Sequence, residues 1–538
     1  MNSATIRKAS VYWYAGLFLA TILALALRLH GIGDPIMDHP GWRQGDTAAI
    51  ARNFALRAFD ILRPQTSYNG APPNYVELEL QIVPFLAAAF YKIFGVHEIF
   101  GRSIALAFGL GTVVVVARFG RWLFGSELAG IGAAFFYAVF PGSVYYGRTF
   151  MPDCAMVFFL TAALYAAARL LLDRDRLEWR GVAWTALLLT FAYLAKPVAV
   201  LALVPLLGLC WQRVRSKRAT SIPAIAVLAI APLLILWLYD RRVASYAEWH
   251  WASGITQLHV LPALRAALSS GSAFLAKCTQ FRVVLGMLRA TMLGTLSFVL
   301  AAIGFAALGW IETRSRTLLW AWLAGGLLYV FVVVTVERVD YYTFPLLPVC
   351  ALVIGGLLAQ VVRLARTLDA APPARYALAS LAPILALCAL FLSRGPVAAY
   401  YEYNHQAYRN ALRLDRTLPP GALVVIAHYG PDLQYYLNRF GWEEDPLLWT
   451  PFDEESAIRK GSRYFIAVEN RRFRHNLELC AWLQRFPVST APGNWPVYAT
   501  DPRRLVPNAE RFWRAFRAAE RSGQGRAFLD AHHACQYK

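Results

Sequence analysis

His39 to Arg52 reads HPGWRQGDTAAIAR and follows directly on the first long apolar segment of the chain, residues 11–29. Within it a carboxylate, Asp46, lies among Arg43, Gln44, Arg52 and Trp42, where the chain leaves the bilayer. A charge that faces water at a membrane surface costs little, so a solvated loop accounts for the stretch taken by itself. The irregular segment it opens continues for about fifty residues, however, and stretches of that length in a compact protein are functional or disordered. Its aromatic residues and Pro-anchored turns argue against disorder.

The rest of the composition agrees with a membrane setting. The 538-residue chain is 58% hydrophobic and only 16% charged, where soluble domains carry roughly 25% charged residues. The net charge of +20 comes from 53 Lys and Arg against 33 Asp and Glu. These basic residues sit mostly in short loops between apolar segments, which is the positive-inside pattern and not the footprint of a nucleic-acid partner. Cys154, Cys210, Cys350 and Cys388 fall in or beside apolar segments, whereas Cys480 and Cys535 share the C-terminal region and can pair if it faces an oxidising compartment. Val11 to Leu27 lacks a small-residue cleavage site and reads as a membrane anchor.

About 20 apolar residues are needed to cross a bilayer. The spans expected on that criterion are 11–29, 102–119, 127–143, 151–172, 180–195, 197–211, 221–239, 290–311, 317–336, 342–363 and 376–393. The pair around Lys196-Pro197 is either one kinked helix or two short ones. Residues 81–94 are apolar but short, and read as a re-entrant or interfacial helix. If Arg7 and Lys8 are cytoplasmic, alternation puts Arg118/Arg121, Arg174/Arg176/Arg180, Arg213/Arg215/Lys217/Arg218, Arg314/Arg316 and Arg363/Arg366 inside as well. An odd number of spans then leaves the C-terminus outside.

The expected fold class is therefore a polytopic α-helical membrane protein of about 11 spans with a small α/β C-terminal periplasmic domain. Residues 1–393 form the membrane module, with a first outer loop over 30–101 and a large outer loop over 240–289; residues 394–538 form the soluble domain. In that domain 422–428 and 463–469 read as buried strands, with helical patterns at 432–440, 454–460 and 476–486, hence a parallel sheet. It has no glycine-rich phosphate loop. A basic helical tail from Arg503, with Trp513 and Phe516, lies on the domain or on anionic lipid. Trp249, His250, Trp251 and His259 in the large outer loop fit an interfacial belt as well as a site.

Ionisable residues at membrane depth are functional candidates by default. Five groups fall on the outer side: Asp46 with Arg43 and Arg52, on a helix expected to start near Gly45; Tyr75, Glu77 and Glu79; Tyr145 to Asp153, with Tyr146 and Arg148; Lys196-Pro197; and Glu337 to Tyr342, with Arg338, Asp340, Tyr341 and Tyr342. Each alone fits a salt bridge or an interfacial anchor. Their convergence on one face points to a site.

The order WRQGDTAAIARNF, LRPQ, ELELQIVPFLAAAFYKIFGVHEIFGR, YYGRTFMPD, AKP and DYYTFPLLP, over roughly residues 10–360, resembles a bacterial C-type (GT-C) membrane glycosyltransferase. It is most similar to the group of protein O-mannosyltransferases and the aminoarabinose transferase that modifies lipid A. The resemblance implies a polyprenyl-phosphate-linked sugar donor, an essential acid in the first outer loop at Asp46, and a second acidic position at Asp153. It also implies a glycolipid, glycan or protein acceptor. Two departures stand out: Thr47 follows Asp46 where an Asp-Glu pair is frequent, and Ala71-Pro72-Pro73 replaces a Lys-Pro-Pro whose lysine meets the donor phosphate. The phosphate then falls to Arg148, Lys196 or Arg338. Asp46 as general base would contribute about 10²–10⁴-fold. A Mg²⁺ or Mn²⁺ between Asp46 and Asp153 suits two carboxylates and phosphate oxygens, although other members of the group work without metal. Two other classes remain open: a transporter, against which stand spans nearly free of central charge, and a polymerase or ligase that moves a lipid-linked oligosaccharide.

Overall fold

The computed structural model describes residues 3–216, 218, 221–367, 371–489 and 495–535, with side chains from residue 11. Lys217 lies outside the described residues, as do the side chains of Arg7 and Lys8. The chain forms two compact units: residues 1–34, 77–246 and 250–401 in one, and 35–76, 247–249 and 402–538 in the other.

The first unit is helical, and among its described residues eight helices are long and apolar enough to cross a membrane. They are Val11–Arg28, Glu98–Phe124, Asp153–Asp173, Pro197–Arg215, Ile222–Ala244, Arg316–Glu337, Asp340–Thr367 and Pro372–Tyr401. The other three expected spans are also helical but differ in form. Expected span 127–143 becomes Glu127–Val139, because Pro141 cannot continue the helix and instead starts a short one, Pro141–Tyr146. Expected span 180–195 is Trp179–Ala195, which ends at an extended Lys196 before Pro197, so this junction holds two helices and not one kinked helix. Expected span 290–311 is broken: Gly271–Leu293 and Thr295–Gly309 meet at 110°. Gly294 lies between them with φ +75°, a conformation no right-handed helix contains. The short segment after Gln81 is the helix Ile82–Phe94, whose 13 residues extend only about 20 Å at the helical rise.

Small residues let these helices meet backbone to backbone, as packing in lipid requires. A methyl group on Gly130 would meet the Ala117 carbonyl at 2.5 Å, and one on Gly355 would meet the Ala133 nitrogen at 2.6 Å. Helices Glu98–Phe124, Glu127–Val139 and Leu347–Thr367 are thereby locked together.

The second unit is built on a five-stranded sheet. Leu423–Ile426 lies next to the edge and pairs in parallel with the edge strand Gly441–Glu443 on one side and the central strand Ser462–Ile466 on the other. Val497–Ala499 and then Val488–Ser489 extend the sheet antiparallel. Strands Leu423–Ile426 and Ser462–Ile466 and the intervening helices agree with the sequence expectation, while the three short strands were not expected. Phe465, Phe473, Leu479, Trp482, Phe486 and Tyr498 form the core. The tail helix Ala509–Arg521 rests on the domain, burying Phe516 with Phe512 and Trp513 packed beside it. Cys480 and Cys535 form a disulfide, with Cα atoms 6.2 Å apart.

Contacts divide the chain differently from composition, which draws the boundary at 393/394. The first-loop segment 35–76 belongs with the C-terminal domain because it docks on the edge strand. Gly70 donates to the Gly441 carbonyl at 2.7 Å, and Gly441 donates to the Ser67 carbonyl at 3.2 Å. Gly441 has φ +150° and lies against the Val424 backbone, so no side chain fits there.

Glu454, on the helix Pro451–Arg459, is fully buried; one of its oxygens accepts from Trp449 Nε1 at 2.9 Å. Burial raises its carboxyl from the ordinary 4.5 to about 8, the Trp449 hydrogen bond offsetting only part of this. The folded state thus holds a proton that the unfolded chain releases. Stability from this residue is complete below about pH 4.5 and is lost as pH rises toward 8, by at most about 4–5 kcal/mol. Thermal unfolding of the purified chain at pH 5, 6.5 and 8 should show this decline in the wild type and a flatter profile in Glu454→Gln.

Candidate functional site

Asp46 sits in the second turn of the helix Gly41–Leu56, which starts at Gly41 and not near Gly45 because Pro40 provides the first turn's carbonyl. That helix packs closely on Pro431–Leu437: a methyl on Gly45 would meet the Asp432 nitrogen at 2.5 Å. Arg52 fixes the same contact, donating to the Tyr435 carbonyl at 2.8 Å with its guanidinium 4.4 Å from the ring centre. The Asp46 side chain is 15% exposed; Arg43 approaches it at 4.0 Å, a distance of weak ion pairing. A stronger partner is Tyr68, which is buried and hydrogen-bonds its hydroxyl to Asp46. Burial, then the charges of Asp46 and Glu443, push the Tyr68 phenol well above its usual range. It therefore stays a donor at every physiological pH.

The carboxyl ends of the parallel strands, the usual place for a ligand in such a sheet, bring more charge beside Asp46. Glu443 ends its strand with Oε2 buried and without a hydrogen-bond partner. Burial first, then Asp46 and Asp432, raise its carboxyl well above the usual range. His428 follows the strand Leu423–Ile426, with Nδ1 2.7 Å from Glu469 and Nε2 3.8 Å from Asp432. Burial opposes its charging, but hydrogen bonds to Asp432 and Glu469 outweigh burial and raise it to about 9. Two carboxyls with different environments, Asp46 and Glu443, are thus set side by side by residues far apart in sequence. Sequence reasoning missed Tyr68, Glu443 and His428, because only the docking of the first loop on the edge strand brings them to Asp46. Tyr75 belongs to this unit too, its carbonyl accepting from Glu248 at 3.0 Å.

The first unit holds the other candidates. Asp153 opens its helix and is buried; Lys196 Nζ donates to Oδ1 at 2.7 Å. The ammonium lies 5.0 and 4.5 Å from the ring centres of Tyr341 and Tyr342. Asp340 is buried and accepts from the Tyr146 hydroxyl at 2.6 Å, from Thr291 Oγ1 at 2.9 Å and from the Tyr400 hydroxyl. Three of the five groups, those around Tyr146–Asp153, Lys196 and Asp340–Tyr342, therefore lie in one cluster. Arg148 is fully buried, donates to the Gly31 carbonyl at 2.9 Å and lies over the rings of Tyr145 and Tyr401. Glu77 accepts from Ser253 Oγ at 2.6 Å and faces His250 at 3.4 Å, and Glu79 is buried. Arg338 is exposed, with a left-handed φ of +53°.

Of the two carboxylates expected to hold a divalent ion, Asp153 has its charge met by the Lys196 ammonium. Among the described residues no three His, Cys, Asp or Glu side chains are grouped to hold a metal.

Residues 81–239 match the family model described as dolichyl-phosphate-mannose-protein mannosyltransferase. No curated protein matches the chain in sequence. Among solved structures the fold is shared with the oligosaccharyltransferase of Archaeoglobus fulgidus in the apo form (TM-score 0.58, 13% identity, 91% of this chain and 75% of that one). It is also shared with the same organism's AglB in complex with an inhibitory peptide and a dolichol-phosphate (TM-score 0.56, 12% identity, 93% and 75%). ArnT from Cupriavidus metallidurans bound to undecaprenyl phosphate matches over its whole length (TM-score 0.53, 14% identity, 91% of this chain and 99% of that one). The chain therefore shares the fold of these membrane proteins, and its residues 81–239 are similar to the mannosyltransferase family model.

Proposed function

We propose that the chain moves one sugar from a polyprenyl-phosphate carrier to an acceptor hydroxyl, with inversion, at the periplasmic face of a bacterial inner membrane. Asp46 is the general base. The observation that carries this reading is the setting of Asp46: a carboxylate oriented by Tyr68, still partly open to water, in the same compact unit as the Cys480–Cys535 disulfide. A disulfide is typical of an oxidising compartment, which supports a setting outside the cytoplasm for that unit. The basic loops at Arg118/Arg121, Arg174/Arg176 and Arg314/Arg316 support the same orientation.

The chemistry needs one base. The acceptor hydroxyl gives its proton to Asp46, its oxygen forms a bond to the anomeric carbon, and the bond from that carbon to the phosphate oxygen breaks. The lipid phosphate leaves as an anion, and the sugar is inverted without becoming attached to the protein. Isoprenyl phosphates are bound by two of the proteins that share this fold, which agrees with such a donor.

Mass spectrometry of envelope glycolipids and glycoproteins from a strain lacking the gene tests this reading. A single hexose or pentose should be missing, restored by the wild-type gene and not by one carrying Asp46→Asn. Loss of a whole oligosaccharide would replace single-sugar transfer by a ligase reaction, and an unchanged envelope would contradict both.

A further inference from the structure

Three spanning helices of the first unit enclose a cavity of about 540 Å³, within the range of small-molecule sites. Its walls come from the start of Val11–Arg28, the end of Glu98–Phe124 and the end of Asp153–Asp173. Asp153 opens the last of these helices, so the cavity lies at the end remote from Asp153 and Lys196. That is the side which the basic loops assign to the cytoplasm. The proposed sugar transfer makes no use of it.

Aromatic contacts fix the walls. Trp122 Nε1 donates to Asp173 Oδ2 at 2.8 Å, which ties the second helix to the third, and the Trp122 ring centre lies 6.2 Å from that of Tyr165. Trp13, buried on the first helix, lies under Arg121, whose guanidinium is 4.6 Å from its ring centre. Gly125 ends the second helix with φ +60°, and a methyl group on it would meet nothing within 4 Å, so the cavity is open there.

The lining is cationic: Arg118, Arg121 and Arg169 against the single carboxylate of Glu127. Arg121 meets Glu127 at 2.9 Å, and Arg169 meets Asp173 at 3.3 Å. Arg118 makes no ion pair or hydrogen bond among the described residues. It lies about 9 Å along its helix from the end at Phe124, a depth at which lipid headgroups give way to acyl chains. The cavity also faces lipid. Tyr14 and Leu17 form its wall on the first helix, where Tyr12 and Phe18 beside them are exposed and only 28% of the spanning stretch is buried. A ligand that fits must place an anion among the guanidinium groups and an apolar part along Leu17.

We propose that this cavity binds the headgroup of an anionic phospholipid of the cytoplasmic leaflet, with Arg118 meeting its phosphate. Basic pockets between helices on the cytoplasmic side hold such headgroups, and guanidinium matches phosphate in charge and geometry. A zwitterionic phospholipid brings an ammonium that the arginines repel. A soluble phosphate ester shares the headgroup chemistry but lacks the apolar part, and is the competing source.

The test uses the purified full chain in detergent, with phosphatidylglycerol, phosphatidylethanolamine and glycerol phosphate as probes, read by native mass spectrometry and by Tm. Phosphatidylglycerol should give a bound adduct and raise the wild-type Tm, and the other two should do neither. Arg118→Gln should bind phosphatidylglycerol about 10–100-fold more weakly, the loss expected for a charge-assisted contact. Arg118→Lys should keep most of the binding, since a compact cation still meets a phosphate. Arg118 is exposed and unpaired, so both variants should have the wild-type Tm without lipid, which separates lost binding from lost folding. If the wild type gives no adduct, or Arg118→Gln binds phosphatidylglycerol as the wild type does, the site is overturned. If phosphatidylethanolamine gives the same Arg118-dependent shift, the requirement for a net negative headgroup is overturned. If glycerol phosphate gives it, the lipid is overturned in favour of a soluble phosphate ester. Each of these outcomes leaves the transferase reading untouched, because that reading is tested by sugar transfer.

Discussion

Asp46→Asn should lower kcat for sugar transfer by about 10²–10⁴-fold, the usual contribution of a positioned general base. The substitution is nearly isosteric, and the amide oxygen still accepts the Tyr68 hydrogen bond, so the side chain keeps its orientation. What is lost is the ability to take a proton. Arg43 at 4.0 Å contributes little to stability, and the Tm should therefore stay within about 2 °C of the wild type, as for a partly exposed substitution that breaks no buried network. Donor KM should also be unchanged. A parallel fall in kcat and kcat/KM with a constant KM is the signature of an interaction used only in the transition state. Steady-state kinetics with a fixed donor and thermal unfolding of the same preparation check both halves.

The largest stability effect is expected at Asp153 and Lys196. Their contact is short and buried, and the second Asp153 oxygen has no protein hydrogen-bond partner. Removing one member leaves the other charged in a place water does not reach. Lys196→Met should therefore destabilise the purified chain by about 3–5 kcal/mol, and Asp153→Asn by a comparable amount. The double variant Asp153→Leu/Lys196→Met should be more stable than either single variant, since no charge is left uncompensated. Unfolding in detergent of all four forms gives the coupling directly. Singles that unfold like the wild type would show the pair to be exchangeable with water, contrary to its burial.

The sequence made the membrane part of this fold readable because a bilayer imposes length and apolarity on each span, and such runs stand out. The break at Gly294 did not stand out: a glycine within an apolar run is common in membrane helices, and only its φ reveals the turn. In the soluble domain Leu423–Ile426 and Ser462–Ile466 were visible as apolar, β-branched or aromatic runs. Gly441–Glu443, Val488–Ser489 and Val497–Ala499 are two or three residues long, too short for any periodicity to register. The same limit governs the site. Asp46 could be singled out from its own loop. Its neighbours Tyr68 and Glu443 could not, since the hydrogen bonds of Ser67 and Gly70 with Gly441 that gather them are contacts across most of the chain. Lys196 was readable as a candidate cation, but its commitment to Asp153 is a tertiary fact.

These placements change what the C-terminal domain is for. It forms one compact unit with the loop that carries the proposed base. Glu443, whose carboxyl burial and Asp46 push well above the usual range, and the Asp432–His428–Glu469 chain belong to that domain. An enzyme whose base is held by its soluble domain should not tolerate removal of that domain.

The most direct test is to incubate the purified protein with a defined undecaprenyl-phosphate sugar and an envelope acceptor extract, and to follow release of undecaprenyl phosphate alongside the anomeric configuration of the product. The account predicts stoichiometric release, a product of inverted configuration, and loss of both with Asp46→Asn. Retained configuration, or undiminished transfer by Asp46→Asn, would contradict it.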